Sequence, residues 1–147
     1  MFEKVTAVFF DLDGTLVDSV PDLAAAVNVM LLQLGLPARD EAQVRTWVGN
    51  GMNNLIRRAL ANDMAGEVEP ALFTRARPLY KAAYADHISV YSALYPGVQE
   101  GLVALAATGL PLACVTNKAA EFALPLLERL GIDHFFATVV GGECIPN

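Results

Sequence analysis

The chain has 147 residues, of which 54% are hydrophobic and 18% charged, with a formal net charge of −6 and a pI of about 4.7. That composition buries a sizeable core and excludes intrinsic disorder. The acidic balance argues against nucleic acid or an anionic membrane as the main partner, yet it leaves room for a phosphate substrate beside a bound cation.

The N-terminus, Met1-Phe2-Glu3-Lys4, lacks the basic start and apolar core of a signal peptide, and no apolar run reaches membrane-spanning length. A cytoplasmic location is therefore expected. Residues 5–10 (VTAVFF) are rich in β-branched and aromatic side chains and show no polar alternation. They read as a strand buried on both faces of a parallel sheet. The strand ends in Asp11-Leu12-Asp13-Gly14-Thr15. Two carboxylates directly after a buried strand are poor choices for stability, so they are the first sign of function.

Residues 16–95 read as helices without a strand. Ser19 is a plausible N-cap, with Pro21 in the first turn, and Leu23, Val27, Met30, Leu31 and Leu34 follow at helical spacing until Gly35. Asp40 can cap a second helix through Val48, which Gly49-Asn50-Gly51 breaks. Leu55, Ile56 and Leu60 mark a third helix, and Pro70 opens a fourth carrying Leu72, Phe73, Leu79, Tyr80 and Tyr84. Trp47 reads as core, and Arg57, Arg58 and His87 as surface or packing residues.

Tyr95-Pro96-Gly97 is a turn signal, followed by a helix to about Ala107. Residues 110–116 (LPLACVT) form a second buried strand ending in Thr116-Asn117-Lys118, with Cys114 packed as a small hydrophobe. A helix over residues 119–130 contains Pro125, which is expected to kink or shorten it, and Gly131 stops it. Residues 137–140 make a third strand before Gly141-Gly142. Neither Cys114 nor Cys144 belongs to a CxxC or Cys/His cluster, so structural zinc has no support.

Strands alternating with helices imply right-handed crossovers and a parallel sheet, and ligands of such sheets bind outside the carboxyl ends of the strands. Asp11, Asp13, Thr116 and Asn117 all fall at such ends. A carboxylate can attack phosphorus and split one difficult step into two, and a second acid two residues on can serve as general acid and base. Lys118 reads as a plain surface lysine. Asp18 and Ser19 read as helix-capping residues.

The stretch from Asp11 to Ser19 (DLDGTLVDS) resembles the first motif of the haloacid dehalogenase superfamily phosphatases, and residues 115–118 (VTNK) resemble the second. Within that superfamily LVDS, WVGNG, TNK, PLLERLGI and VVGGE are most like the phosphoglycolate phosphatases. The resemblance implies a doubly wound, Rossmann-like α/β core over 1–15 and 96–147, with an inserted helical cap over 16–95. It implies Asp11 as nucleophile, Asp13 as acid/base, and Mg²⁺ held by the Asp11 carboxylate and the Asp13 main-chain oxygen. Phosphoryl oxygens would be held by Thr116 and by backbone N–H groups at Leu12 and Asn117. Arg45, Gly49 and Asn50 would contact the substrate from the cap, where the glycine-rich break offers backbone N–H groups at a helix start.

The superfamily's third motif, a lysine, and its fourth, an acidic pair, lie downstream of the third strand. Here that strand is followed by Gly141-Gly142-Glu143, and Asn147 is the last residue. The resemblance therefore implies a C-terminally truncated core, with a neighbour of the first strand absent, and an inactive or nearly inactive chain. The partner expected is a small phosphorylated metabolite, with 2-phosphoglycolate leading and the oligomeric state open. The alternatives are a sugar-phosphate mutase of the same superfamily and a non-catalytic binding or structural fragment. A dehalogenase has no need of Asp13, and no GxxxxGK[ST] of a P-loop NTPase occurs.

Overall fold

The structure is a computed structural model that describes residues 4–142. Met1, Phe2, Glu3, Glu143, Cys144 and Asn147, all used in the sequence reading, lie outside the described residues. Two compact units are present: one runs through Asp18 and resumes at Ala93, and the other is Ser19–Ser92.

The first unit holds a parallel sheet of β1 (Val8–Phe10), β4 (Leu112–Val115) and β5 (Thr138–Val140), in the order β1-β4-β5. Helix α5 (Val98–Ala106) precedes β4, and α6 (Ala120–Arg129) connects β4 to β5. Leu112, Cys114, Phe122, Ala123, Leu126, Leu127 and Ile132 are buried and form its core. Phe10 meets Phe136 edge to face at 6.2 Å. Pro125 lies inside an uninterrupted α6. The helix is not shortened at Pro125, whose ring removes one N–H from the ladder, opposite the carbonyl of exposed Glu121.

Two expectations need correction. The strand of residues 5–10 is shorter and less buried than its apolarity suggests: Phe9 is 72% exposed and Val5 39% exposed. Among the described residues β1 is an edge strand, paired only with β4. Residues 16–95 also contain strands. Val17–Asp18 (β2) and Ala93–Leu94 (β3) pair antiparallel, with Val17 opposite Leu94. Two-residue strands are too short to show alternation, and their pairing depends on residues some seventy-five positions apart.

The second unit is built from α1 (Val20–Gln33), α2 (Glu41–Trp47), α3 (Met52–Ala61) and α4 (Pro70–Asp86). Helix α1 packs chiefly on α4, through a face that includes Val27, Met30 and Leu31 and an opposing face with Ala76, Tyr80 and Tyr84. The two tyrosines stack at 6.0 Å, and Trp47 is buried as expected. Ser19 and Asp40 do precede helices, but neither side chain makes a capping bond. The bond that organises the start of α1 is instead made by Asp22. Its carboxylate is fully buried and accepts from the Tyr91 N–H (3.1 and 3.0 Å), the Ser92 N–H (2.7 Å) and the Ser92 hydroxyl (2.6 Å). A buried carboxylate is tolerated only when so many donors replace water. No helix among the described residues is long and apolar enough to cross a membrane.

Asp22→Ala strands these donors in a dry site and is expected to lower the unfolding free energy by roughly 2–4 kcal/mol, read by urea denaturation. A change within about 0.5 kcal/mol contradicts this account of the Ser19–Ser92 unit.

Candidate active site

Parallel register carries the site. Phe10 pairs with Cys114, Cys114 with Val139, and Val115 with Val140, so β4 and β5 end together and β1 ends one residue before them. Asp11, Thr116 and Gly141 are the next residues on each strand. Strand β1 leaves the sheet through a tight, hydrogen-bonded turn. After β1, buried Leu12 anchors the chain while its carbonyl accepts from the N–H groups of Thr15 (3.2 Å), Leu16 (3.0 Å) and Val17 (3.2 Å). Gly14 supplies the left-handed conformation this turn needs (φ 80°), and its N–H donates to the Val17 carbonyl at 2.9 Å. The turn holds Asp11 exposed and Asp13 half-buried on either side of Leu12.

The Leu12 N–H donates to Asp11 Oδ1 at 2.8 Å. That bond fixes the carboxylate's rotamer, so a phosphoryl oxygen reaching Leu12 would have to share its donor. Thr116 is 3% exposed, its N–H donates to the Val140 carbonyl (3.0 Å), and its hydroxyl oxygen accepts from the Lys118 N–H (3.1 Å). A hydroxyl that accepts in this way still has its own proton to donate. Asn117 is exposed beside it.

Lys118 is not the surface lysine that the sequence suggested. It is 7% exposed, and its Nζ forms an ion pair with Asp13 Oδ1 at 3.3 Å. Position alone could have raised this, since Lys118 sits two residues past a strand end, level with the acidic turn; its residue type carries no such signal. The two glycines after β5 also have a role that composition hides. A Cβ on Gly142 would lie 2.2 Å from the Asn117 carbonyl oxygen, and one on Gly141 would lie 2.6 Å from the Ala120 nitrogen. The Gly142 N–H donates to the Lys118 carbonyl at 3.0 Å. The β5 tip thus clamps the Thr116–Ala120 turn at backbone-to-backbone distance.

Burial, followed by the negative charge of Asp11 and Asp13, pushes the Cys114 thiol up from 9.0 to about 11. Beneath the two carboxylates, then, the field is negative. Hard oxygen donors in a negative field suit Mg²⁺, which binds through one or two carboxylates and keeps its remaining positions for water and substrate phosphate. The Asp11 carboxylate and the Asp13 main-chain oxygen are donors of that kind, while the Asp13 carboxylate is engaged by Lys118. No group of three or more His, Cys, Asp or Glu side chains suited to a metal occurs among the described residues.

The remaining expected residues belong to the Ser19–Ser92 unit. Arg45 is exposed and pairs with Glu41 at 3.3 Å. Asn50 accepts from Arg58 Nη2 at 2.9 Å, and Arg58 also donates to the carbonyls of Trp47 (2.7 Å) and Met64 (3.0 Å). Arg58 is therefore what holds the Gly49-Asn50-Gly51 break in shape. Arg57 lies over the Phe73 ring at 4.1 Å, and His87 Nδ1 is 2.9 Å from the Ala83 carbonyl, both packing roles.

Fold and site together describe a parallel α/β protein whose first strand delivers a pair of carboxylates and whose chain is interrupted by a helical unit. Residues 8–147 match the family model of haloacid dehalogenase-like hydrolases, and the chain belongs to that family. It is 49% identical, over its whole length, to the phosphoglycolate phosphatase of Nitrosococcus oceani, and 42% identical over 97% of its length to that of Thiobacillus denitrificans. The chain spans 65% and 63% of the lengths of these two relatives. The crystal structure of a predicted phosphoglycolate phosphatase from Haemophilus somnus superposes with a TM-score of 0.87 at 39% identity, covering 97% of this chain and 64% of that one.

Two outcomes test the site's geometry. Gly142→Ala must displace the Asn117 backbone and is expected to cost about 1–3 kcal/mol in thermal or urea unfolding. Cys114 is expected to alkylate far more slowly than a free thiol at pH 8 in metal-free buffer, and at the ordinary rate in urea, as read by peptide mass mapping. The sign for stability follows: between 9.0 and about 11 the folded chain keeps a proton that the unfolded chain releases, so stability falls as pH rises through that window.

Proposed function

We propose that the chain carries the nucleophile and acid/base of an Mg²⁺-dependent phosphomonoester hydrolase working through an aspartyl-phosphate, with 2-phosphoglycolate as substrate. The observation that carries this reading is the pair Asp11 and Asp13 at the carboxyl end of β1, beside the carboxyl end of β4 with its buried Thr116. The names of the relatives support the substrate class.

In this reading Asp11, held by the Leu12 N–H, attacks phosphorus in line. The phosphoryl group passes to the Asp11 carboxylate and the bond to the leaving alcohol breaks. Asp13 gives its proton to the leaving oxygen, then takes one from the water that hydrolyses the acyl phosphate. The Thr116 hydroxyl and the backbone N–H groups around Asn117 hold phosphoryl oxygens and need little rearrangement, because the glycine clamp already fixes their turn. The Asp11 carboxylate and the Asp13 main-chain oxygen would hold Mg²⁺, whose positive charge would offset the repulsion between carboxylate and phosphate dianion. The Ser19–Ser92 unit is proposed to act as the cap and to add Arg45, Gly49 and Asn50 as substrate contacts, with a cytoplasmic protein as the setting.

The 147 residues alone are proposed to turn over slowly or not at all, with the further third found in the relatives supplying a lysine and an acidic pair. The test compares this chain with the same chain joined to the C-terminal third of the Nitrosococcus oceani relative, both assayed with Mg²⁺ and 2-phosphoglycolate. The joined form is expected to be active. Asp11→Asn in it is expected to lower kcat by roughly 10³-fold or more, and Asp13→Asn by about 10²–10⁴-fold. Full activity in the 147-residue form, or an active Asp11→Asn variant, contradicts the proposal.

A further inference from the structure

We propose that Lys118 is a specificity-determining residue, the cation that reads a carboxylate on the alcohol side of the phosphoester. The inference rests on the hydrolase reading above and deepens it. A lysine this buried is ordinarily paired, and the ion pair with Asp13 meets that need. Pairing alone does not account for how firmly the residue is held. Its N–H is bound to Thr116 Oγ1 at 3.1 Å and its carbonyl receives the Gly142 N–H at 3.0 Å. Gly142 also presses on the Asn117 backbone so closely that no Cβ fits. A flexible four-carbon side chain is thereby fixed at its root by backbone and at its tip by Asp13.

The tip's position defines what it can read. Asp13 is the proposed proton donor to the leaving oxygen, so its carboxyl comes within about 3 Å of that atom during reaction. The ammonium, 3.3 Å from Asp13 Oδ1, then lies within roughly 6 Å of the same atom. In 2-phosphoglycolate one methylene separates that oxygen from the carboxylate, so the carboxylate oxygens lie about 3 Å further on. A carboxylate there is within reach of a charge-assisted hydrogen bond from Nζ, of about 2.8 Å. The chain's other lysines are Lys4, before β1, and Lys81, in α4. Ethyl phosphate, with a methyl group in place of the carboxylate, gives Lys118 nothing to bind.

The test is calorimetric titration of the 147-residue chain, in Mg²⁺, with 2-phosphoglycolate and with ethyl phosphate. The chain is expected to favour 2-phosphoglycolate by about tenfold or more, the effect of one charged hydrogen bond. In Lys118→Met the ratio is expected to fall toward one, and in Lys118→Arg, which keeps the charge, part of it should remain; circular dichroism confirms that each is folded. Equal affinity in the unaltered chain, or no binding of either ligand, overturns the proposal without need of a variant. So does a preference that survives Lys118→Met, or one that is lost only in Arg45→Met, which assigns the carboxylate to the other unit. Affinity is read without turnover, so the two readings fail separately. A clear preference in the 147-residue chain with no hydrolysis by the form joined to the relative's C-terminal third counts against the hydrolase alone, and hydrolysis by the joined form without preference counts against Lys118 alone.

Discussion

Parallel pairing in register is the constraint on which the rest depends. Because β1 and β5 both pair with β4 and all three run the same way, their carboxyl ends finish within one residue of each other, and residues more than a hundred positions apart become neighbours. A slip of one residue in β1 would invert every side chain of that short strand and carry Asp11 and Asp13 off their level. The register is held by buried Leu112 and Cys114 on β4 and by the Leu12-centred turn, whose carbonyl collects three N–H groups. The turn chemistry is therefore a product of the sheet: the acidic residues are where they are because the strand stops at Phe10.

Charge is the second theme. Two carboxylates lie close enough to the Cys114 thiol to raise it, while Lys118 sets one positive charge against Asp13. In the proposed hydrolase that balance would leave the tip of β1 in need of further positive charge before a phosphate dianion could approach. A hard divalent cation answers that need chemically, and the oxygen donors suit it. The clamp of Gly141 and Gly142 on the Thr116–Ala120 turn gives the opposing side of the site its rigidity.

Much of this was legible in the sequence. The Asp11–Thr15 turn stood out because carboxylates after an apolar run have no purpose in a core, and Thr116-Asn117 stood out because it ended a second such run. The helices of the Ser19–Ser92 unit followed their periodicity, and Gly35 closed α1, with the Leu36 N–H bonded to the Leu31 carbonyl at 2.9 Å. What stayed hidden depended on distance along the chain. Asp22 looks like an ordinary first-turn acid until Tyr91 and Ser92 arrive from seventy residues away. The β2–β3 ribbon is too short for a pattern, and the closeness of Gly142 to Asn117 is a tertiary fact. The exposure of Phe9 departs from what apolarity alone predicts, because burial requires something to cover the face.

Membership of the haloacid dehalogenase-like hydrolases gives these features one setting. The central claim is that a carboxylate at the end of the first strand takes the phosphoryl group. Acid-quenching the chain joined to the relative's C-terminal third during turnover, then reducing with borohydride, converts an acyl-phosphorylated aspartate to homoserine. The account predicts homoserine at position 11; homoserine at position 13, or steady turnover with aspartate intact at both positions, would contradict it.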